Sequence, residues 1–278
     1  MVNVTAADVK RLRELTGAGM MDCKKALEEA AGDVDKAVDV LRLKGAKDVT
    51  KRAQRVAANG LVTAQVEGTS TGTLLELNCE TDFVAKNDSF QQAAAEILAT
   101  AVRTGASDRL ALLGAEVKPG STVQQRIEEA SAAIKEKVEL GRFARFEGGY
   151  IASYLHKSDP SLPPTVGVLV QLDAENAQLA KDVAQQVAAM RPSYVRTEDV
   201  PAEVLEKERR IAEQITRDEG KPEQAIPKIV EGRLKSFLKD VALVEQPYVK
   251  DPKKTVRQLL AEAGTTVRGF VRFKIGEA

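Results

Sequence analysis

Two stretches of this chain repeat one another, and this repeat limits the folds that the chain can adopt. Residues 60–102 and residues 149–190 each contain two strand-like apolar runs followed by a helical apolar stripe. Within them, Leu74–Leu77 matches Leu169–Leu172 in pattern. Two such runs joined by a polar loop predict a β-hairpin, and the stripe predicts a helix that covers one face of it. The chain is therefore predicted to contain two related α+β lobes.

A third strand completes each lobe in this prediction. Residues 142–147 alternate with period two after a predicted helix over about residues 121–140, and residues 266–275 alternate near the end of the chain. In that last strand, one predicted face carries Val267, Val271, Phe273 and Ile275, and the other carries Arg268, Arg272 and Lys274. Phe270 breaks the alternation. Each lobe is thus predicted as a three-stranded antiparallel sheet with helices on one face.

The first copy of the repeat is longer than the second. Leu77 and Phe90 are thirteen residues apart, whereas the matching Leu172 and Leu179 are seven apart. The six additional residues have the length of Thr81–Lys86. Because the second copy is predicted to fold without them, the fold does not require them, and connections are where function is usually found. The alternative is a structural one-turn helix whose phenylalanine packs into the local core.

The residues around this extra segment carry helix-capping patterns. Asp88, with Gln91 three residues later, forms a capping-box pattern that predicts a helix over about residues 89–102. Asp82 can similarly cap the short turn before that helix, which would be a structural role for its carboxylate.

The first 45 residues predict a compact bundle of three helices. Thr5 with Asp8 begins the first helix, and the glycine-rich residues 17–21 end it. Asp33 caps a third helix that is predicted to end near Gly45. A unit of this size is marginally stable alone, so the bundle is expected to dock on the rest of the chain.

Met20 and Met21 lie in the glycine-rich break between the first two helices. If they are exposed, they form an adaptable contact surface, because methionine is flexible and polarisable. If they are buried, they fill the bundle core. Residues 44–59, which follow, are polar and rich in Lys and Arg, and they predict a helical or mobile tether with solvated charges.

An insertion with two apolar seams separates the predicted helix of the second lobe from its last strand. The first seam consists of Val200, Val204, Ile211 and Ile215, and the second of Ile226, Ile229, Val230, Leu234, Phe237 and Val241. A Gly-Lys-Pro turn at residues 220–222 lies between them. This pattern predicts an antiparallel coiled-coil hairpin that projects from the body and meets another protein or a second copy. The alternative is a hairpin that packs flat on its own lobe.

The predicted organisation is therefore α+β with three parts. Residues 1–55 form the bundle and tether, and residues 56–148 form the first lobe. Residues 149–278 form the second lobe, into which the arm is inserted at residues 198–242.

Charge and cysteine content weigh against several classes of function. Lys and Arg total 41, as do Asp and Glu, so the net charge is zero and no overall positive field favours nucleic acid. The apolar runs are too short to span a bilayer, and the N-terminus does not resemble a secretory signal. Cys23 and Cys79 are too few for a disulfide framework and are predicted to be free thiols in a reducing cytoplasm.

The sequence offers little catalytic chemistry. His156 is the only histidine, and with two distant cysteines it makes no zinc signature. Neither a phosphate-binding Gly-Lys-Ser/Thr loop nor a glycine-rich dinucleotide motif is present. The chain is therefore expected to be no enzyme and to bind no cofactor, metal or nucleotide directly. Near the predicted tip of a hairpin, His156 is either a structural or surface residue or a partner contact.

Two motifs, Thr16–Leu27 and Asn78–Lys86, closely resemble those of bacterial elongation factor Ts. Val230–Arg233 and Gly269–Phe273 add shorter matches, and the resemblance covers the whole chain. Members of that family are guanine-nucleotide exchange factors for the GTPase elongation factor Tu. The resemblance implies a ubiquitin-associated-like bundle, a two-lobed core and a coiled-coil arm.

The resemblance also implies which residues meet the partner. The segment that enters the GTPase domain and dislodges magnesium consists of Thr81, Asp82, Phe83 and Val84. The bundle residues at matching contact positions are Arg13, Met20, Met21 and Lys24. His156 matches a contact with the third domain of the partner. In this interpretation the Asp82 carboxylate acts by charge, because it disfavours phosphate and distorts the octahedral ligand shell of magnesium.

The implied partner is elongation factor Tu, both GDP-bound and nucleotide-free, and neither nucleic acid nor a membrane is expected. A homodimer or a two-by-two complex is left open. Some relatives continue into a further C-terminal helix, whose contacts this chain is expected to lack. Two other functions remain as alternatives. One is an adaptor that only binds proteins through its bundle, and the other is an enzyme that uses His156 or the carboxylates.

Overall fold

The computed structural model describes residues 4–16 and 18–277, and the side chains of residues 46–51 are outside that description. The chain is mixed α+β, with three helices at the N-terminus and antiparallel sheets after them, as the sequence predicts. The sequence-predicted break at residues 17–21 lies partly outside the described residues, because Gly17 is not among them.

The N-terminal bundle consists of α1 (Ala6–Thr16), α2 (Met20–Glu29) and α3 (Val34–Arg52). Thr5 and Asp8 exchange hydrogen bonds between backbone and side chain, so the predicted cap of α1 is confirmed. The prediction that α3 ends near Gly45 is wrong. A Cβ on Gly45 would lie 3.2 Å from the Cβ of Ala132, so this glycine permits a close helix contact instead of ending the helix.

The first sheet has three antiparallel strands in the order β1, β2, β5, and helices cover its outer face. In chain order its elements are β1 (Asn59–Glu67), β2 (Thr71–Cys79), α4 (Asp82–Ala85), α5 (Asp88–Thr104), α6 (Arg109–Gly114), β3 (Glu116–Lys118), β4 (Ser121–Thr122), α7 (Val123–Ile134) and β5 (Val138–Glu147). The small β3–β4 hairpin was not predicted. The predicted helix over residues 121–140 ends earlier, because Lys135 adopts a left-handed conformation with φ of 67°.

The start of α5 also differs from the prediction. The cap is Asn87, whose side-chain oxygen accepts a 2.8 Å hydrogen bond from the backbone N–H of Ser89. Asp88 is the first helical residue, and Gln91 donates to the carbonyl of Lys86. The predicted Asp88–Gln91 capping box is therefore wrong by one residue.

The second sheet has the order β10, β7, β6 and repeats the hairpin-then-helix arrangement of the first. Its strands are β6 (Tyr150–His156), β7 (Val166–Leu172) and β10 (Val267–Lys274), and α8 (Ala177–Met190) follows β7. Before β10 lie a separate two-stranded sheet of β8 (Pro247–Tyr248) and β9 (Asp251–Thr255), and then α11 (Val256–Glu262). A β-bulge between Val267 and Gly269 shifts the register of β10. Val267 and Phe270 consequently pack towards α8, on the face opposite Phe273, which corrects the predicted assignment of Val267.

The two sheets pack against each other through a shared apolar layer. Val62 and Leu74 of the first sheet meet Ile151, Leu169 and Phe273 of the second. Two glycines allow the sheets to approach closely. A Cβ on Gly72 would lie 2.6 Å from Ile151, and one on Gly167 would lie 2.4 Å from Val62. The helices therefore lie on the outer faces, and the connection between β2 and α5 lies at the periphery.

The insertion contains α9 (Ala202–Asp218) and α10 (Ile226–Val241), which pack against each other through Ala212, Ile226, Val230 and Leu234. The predicted seam on α10 is confirmed at these last three positions. On α9 the predicted seam is wrong by one residue, because Ile211 and Ile215 are exposed whereas Ala212 and Thr216 are buried. The hydroxyl of Thr216 can be buried because it donates a 2.6 Å hydrogen bond to the carbonyl of Ala212.

Candidate partner-binding site

The eight residues that connect β2 to α5, residues 80–87, contain a single helical turn, α4. Thr81 caps it, since the Thr81 hydroxyl oxygen accepts a hydrogen bond from the Val84 N–H. On its inner side Ala85 is buried and Val84 packs against the core of the first lobe. On its outer side Asp82 is exposed and the Phe83 side chain is 80% exposed. The Thr81–Val84 segment thus presents Phe83 to solvent from an anchored turn.

This geometry decides between the two interpretations of the segment. The one-turn helix of the structural alternative is present, but Phe83 is not packed into the local core. The structural role considered for Asp82 is also wrong, because Thr81 provides the cap and Asp82 is the first residue inside the turn. An exposed phenylalanine forgoes roughly 1.5–3 kcal/mol of burial free energy in the free protein. That free energy is available to any partner that covers the ring.

The residues just before α4 are held from three directions. The Glu136 carboxylate accepts hydrogen bonds from the backbone N–H and the hydroxyl of Thr81, at 3.0 and 2.8 Å. Glu80 accepts a 2.6 Å hydrogen bond from the Lys137 N–H and pairs with Arg55. The base of the turn is therefore bonded to the residues just before β5 and to the segment that follows α3.

Cys79 lies beneath the turn and donates a 3.2 Å hydrogen bond from its thiol to the Thr81 carbonyl. Burial raises the pKa of this thiol to about 12, and the nearby carboxylate of Glu136 adds to the shift. Cys79 and Cys23 are both free, as predicted, and both are buried. At neutral pH the Cys79 thiol therefore stays protonated and acts as a hydrogen-bond donor.

The candidate residues of the bundle lie where α1 ends and α2 begins. Arg13 is exposed on the last turn of α1, and Lys24 is exposed on α2, where it pairs with Glu28 at 3.8 Å. Met20 and Met21 are 59% and 64% exposed. Neither methionine fills the bundle core, so that alternative is wrong.

A pair of consecutive residues connects the bundle to the Thr81–Val84 segment. Asp22, at the start of α2, accepts hydrogen bonds from the ammonium groups of Lys44 at 2.7 Å and Lys135 at 3.0 Å. Lys135 directly precedes Glu136, the residue that holds Thr81. Asp22, which follows Met21, and Thr81, which caps the turn that carries Phe83, are thus bonded to consecutive residues between α7 and β5.

Replacement of Asp22 by Ala should weaken the attachment of the bundle. The hydrogen bond from Lys44, and then that from Lys135, lowers the pKa of the Asp22 carboxyl below its ordinary 3.8. Both ion pairs are partly solvated, so we expect the free energy of unfolding to fall by about 1 kcal/mol at pH 7. A carboxyl group whose pKa is lower in the folded chain than in the unfolded chain stabilises the fold fully above its unfolded pKa, and this stabilisation is lost as the pH falls through its folded pKa. The difference between the variant and the unmodified chain should therefore shrink as the pH falls below 3.8.

Chemical denaturation at pH 7 and at pH 3 measures this effect. Asp39→Ala, which removes an exposed carboxylate from α3, is the control and should match the unmodified chain at pH 7. An Asp22→Ala difference of equal size at both pH values would contradict the assignment.

His156 lies apart from the other candidates, at the end of β6 in the second sheet. Its Nδ1 is 3.1 Å from the Tyr154 hydroxyl, and its ring is exposed. The loop after β6 spans residues 157–165. Hydrogen bonds from Ser161 lower the pKa of Asp159 in that loop, and the charge of Lys86 contributes to the same shift. The structure thus groups the Thr81–Val84 segment with the bundle residues and leaves His156 on the other lobe.

Comparison with known proteins identifies the family. A family model described as elongation factor TS matches residues 80–277. The chain is 64% identical to elongation factor Ts of Thermobifida fusca over 278 residues, which is all of both chains. It is 56% identical to elongation factor Ts of Streptomyces avermitilis over 277 residues, 99% of this chain and 100% of that one. The chain belongs to the elongation factor Ts family. Elongation factor Ts is a nucleotide exchange factor in protein biosynthesis and not an enzyme.

The elongation factor Ts resemblance noted from the sequence motifs is therefore confirmed over the full chain. Among the described residues, no group of three or more His, Cys, Asp or Glu side chains could hold a metal ion. No helix in the described part of the chain is both long and apolar enough to cross a membrane.

The sequence interpretation missed Glu136, Lys135 and Glu80, which attach the segment to its surroundings. Glu136 and Lys135 belong to a run of alternating Lys and Glu that has the appearance of a solvated surface. Their partners are 55 and 113 residues away in sequence.

Proposed function

We propose that this chain accelerates GDP release from elongation factor Tu by inserting the Thr81–Val84 segment into the GTPase domain. Insertion dislodges the magnesium ion, GDP leaves, and GTP rebinds. The observation that carries this proposal is the exposed Phe83 on a turn whose other face is anchored in the core. Apolar side chains of this size are normally buried, and one held out rigidly is suited to enter a partner.

Exchange needs no bond-making chemistry in this chain. A factor that binds the nucleotide-free GTPase more tightly than the GDP-bound form must weaken GDP binding by the same ratio. Burial of one phenylalanine supplies roughly 1.5–3 kcal/mol, which corresponds to a factor of roughly ten to a few hundred. Phe83 alone is therefore too weak to displace a tightly bound nucleotide, and a wider interface must add to it.

In this proposal Asp82 makes a second contribution to the weakening of GDP binding. Its carboxylate is exposed beside Phe83 and has no capping role in the turn. Near a phosphate and magnesium site, such a charge repels phosphate and competes for the ion, whose ligand shell tolerates little distortion. Phe83 and Asp82 thus act on the same site by shape and by charge.

The remaining interface would come from the bundle and the second lobe. Arg13, Met20, Met21 and Lys24 contact the GTPase domain, and His156 contacts the third domain of elongation factor Tu. The division into residues 1–55, 56–148 and 149–278 matches these roles, with residues 198–242 as a coiled-coil arm. The setting is the bacterial cytoplasm. Elongation factor Tu is bound in its GDP and nucleotide-free states, by a homodimer of this chain or in a two-by-two complex.

The test is the rate of release of fluorescent GDP from elongation factor Tu in the presence and absence of this chain. We expect a saturable acceleration, with a maximal rate and a half-saturating concentration of the chain. An unchanged release rate at all concentrations would contradict the proposal. An adaptor that binds only through the bundle would bind elongation factor Tu without this acceleration.

Replacement of both Met20 and Met21 by Ala should raise the half-saturating concentration by roughly tenfold, because two exposed apolar contacts are lost. The maximal release rate should stay within about twofold of the unmodified chain. Leu110→Ala is the matched control, since Leu110 is exposed on α6 in the first lobe. An unchanged half-saturating concentration in the double variant would show that the methionines do not contact the partner.

A further inference from the structure

We propose that Glu136 is a positioning residue for nucleotide exchange. It holds the first residue of the Thr81–Val84 segment and so fixes the direction in which Phe83 points. The inference rests on the proposed function and assigns a role to a residue that is outside the segment and acts on it only through Thr81.

The Glu136 carboxylate determines how Thr81 uses its hydroxyl group. A threonine hydroxyl has one proton to donate and lone pairs with which to accept. The Thr81 hydroxyl donates to Glu136 Oε1 at 2.8 Å, so a lone pair is left for the Val84 N–H at 3.3 Å. The Thr81 N–H donates to Glu136 Oε2 at 3.0 Å. One carboxylate thus orients both the backbone and the capping hydroxyl at the start of α4.

A turn as short as α4 needs this support. Isolated helices shorter than about 12–15 residues are marginal in water, and α4 has four residues. Its order must come from its cap and from packing on its inner face. Hydrogen bonds to an ionised carboxylate are roughly twice as strong as neutral ones, so Glu136 is the strongest polar contact of Thr81.

Glu136 is itself held in place by its neighbours. Its carbonyl accepts a 2.6 Å hydrogen bond from the Ser131 hydroxyl, and the N–H of Lys137 donates to Glu80 at 2.6 Å. The ammonium group of Lys135 contacts Asp22 in the bundle at 3.0 Å. Glu136 therefore sits at a fixed point between the bundle and the segment, and it sets the orientation of Phe83 relative to Met20 and Met21.

The test compares Glu136→Ala and Glu136→Gln with the unmodified chain in GDP release from elongation factor Tu. In Glu136→Ala we expect the maximal release rate to fall roughly tenfold, as for the loss of a helix cap, with the half-saturating concentration within about twofold. The maximal release rate of Glu136→Gln should lie between those of the unmodified chain and Glu136→Ala. Its amide oxygen can accept a hydrogen bond from the Thr81 hydroxyl, but its NH₂ group faces the Thr81 N–H, which is also a donor.

Glu128→Ala is the matched control, since it removes a carboxylate from α7 whose partner is Gln124 of the same helix. It should exchange nucleotide like the unmodified chain. A merely structural role for Glu136 would lower the amount of folded protein without changing the maximal rate per folded molecule. That result, in either Glu136 variant, would overturn the inference.

A spectroscopic readout in the free protein separates positioning from binding. The chain contains no tryptophan, so Phe83→Trp introduces a single fluorophore at the tip of the segment. In the Glu136→Ala background, the fast local component of its time-resolved anisotropy should have a larger amplitude than when Glu136 is present, because motion of the backbone turn adds to rotation of the exposed side chain. Identical anisotropy decays in the two backgrounds would overturn the inference.

Failure of this inference differs from failure of the proposed function. If Phe83→Ala slows release but Glu136→Ala does not, the segment acts as proposed and the role of Glu136 is wrong. If Phe83→Ala leaves release unchanged, the proposed insertion is wrong. The inference about Glu136 then falls with it.

Discussion

Replacement of Phe83 by Ala should lower the maximal rate of GDP release from elongation factor Tu by roughly ten- to a hundredfold. The expected size follows from losing about 1.5–3 kcal/mol of apolar burial in the state from which GDP leaves. The free energy of unfolding should change by less than about 0.5 kcal/mol, because the ring is 80% exposed in the free chain. Stopped-flow release of fluorescent GDP at saturating concentration of the chain measures the effect.

The control for this variant is Leu110→Ala, which removes a comparably exposed apolar side chain, 76% accessible, from α6. It should leave both the maximal rate and the half-saturating concentration unchanged. The maximal release rate of Phe83→Leu should lie between those of the unmodified chain and Phe83→Ala, because leucine keeps part of the apolar surface. A folded Phe83→Ala protein that releases GDP at the unmodified rate would show that the ring does not act in exchange.

The largest loss of stability is expected from Arg142→Ala at the contact between the two sheets. Glu76 of β2 is 4% exposed, and its carboxylate accepts a 2.7 Å hydrogen bond from Arg142 of β5. The Arg142 guanidinium also donates to the Lys274 carbonyl at 2.6 Å and lies 4.9 Å from the centre of the Phe273 ring. This arginine therefore joins both sheets around a buried carboxylate.

Removal of Arg142 leaves the Glu76 carboxylate buried without its partner, which typically costs 3–5 kcal/mol. We expect the free energy of unfolding to fall by about 3 kcal/mol, the lower end, because the Arg142 side chain is partly solvated. Arg42→Ala is the control, since Arg42 makes only an exposed 3.9 Å contact with Glu129. This substitution should lower the free energy of unfolding by less than about 1 kcal/mol. Equal losses for the two variants in chemical denaturation would contradict this account.

Much of the fold follows from local sequence patterns. Apolar runs and period-two alternation located the strands of the two main sheets, although β5 begins at Val138 and not at residue 142. The central strands β2 and β7 are buried on both faces, because helices cover one face and the other sheet covers the second, so they appear as nearly continuous apolar runs. The comparison of the two repeats isolated Thr81–Lys86, because an internal copy shows what the architecture requires. The prediction was wrong about which side chains are buried where a shift of one residue along a strand or helix changes the face that a side chain occupies. The bulge in β10 reversed the face of Val267, and the α9 seam shifted from Ile211 to Ala212.

Only part of the candidate site could be predicted from the sequence. Phe83 was identifiable because a bulky apolar residue stood on a surplus connection. Its supports were not identifiable, because Glu136 and Lys135 resemble ordinary surface charges and their partners are distant in sequence. Hydrogen bonds between distant side chains depend on the packed backbone, and no local period reports them.

The most direct test of the central claim is a photo-crosslinker placed at position 83, with nucleotide-free elongation factor Tu as the partner. A p-benzoylphenylalanine side chain there keeps the phenyl ring of Phe83 and extends it by a largely apolar benzoyl group. The account predicts crosslinks to the GTPase domain, beside its phosphate and magnesium site, and their loss on addition of excess GDP and magnesium. Crosslinks only to another domain of elongation factor Tu, or only within this chain, would contradict it.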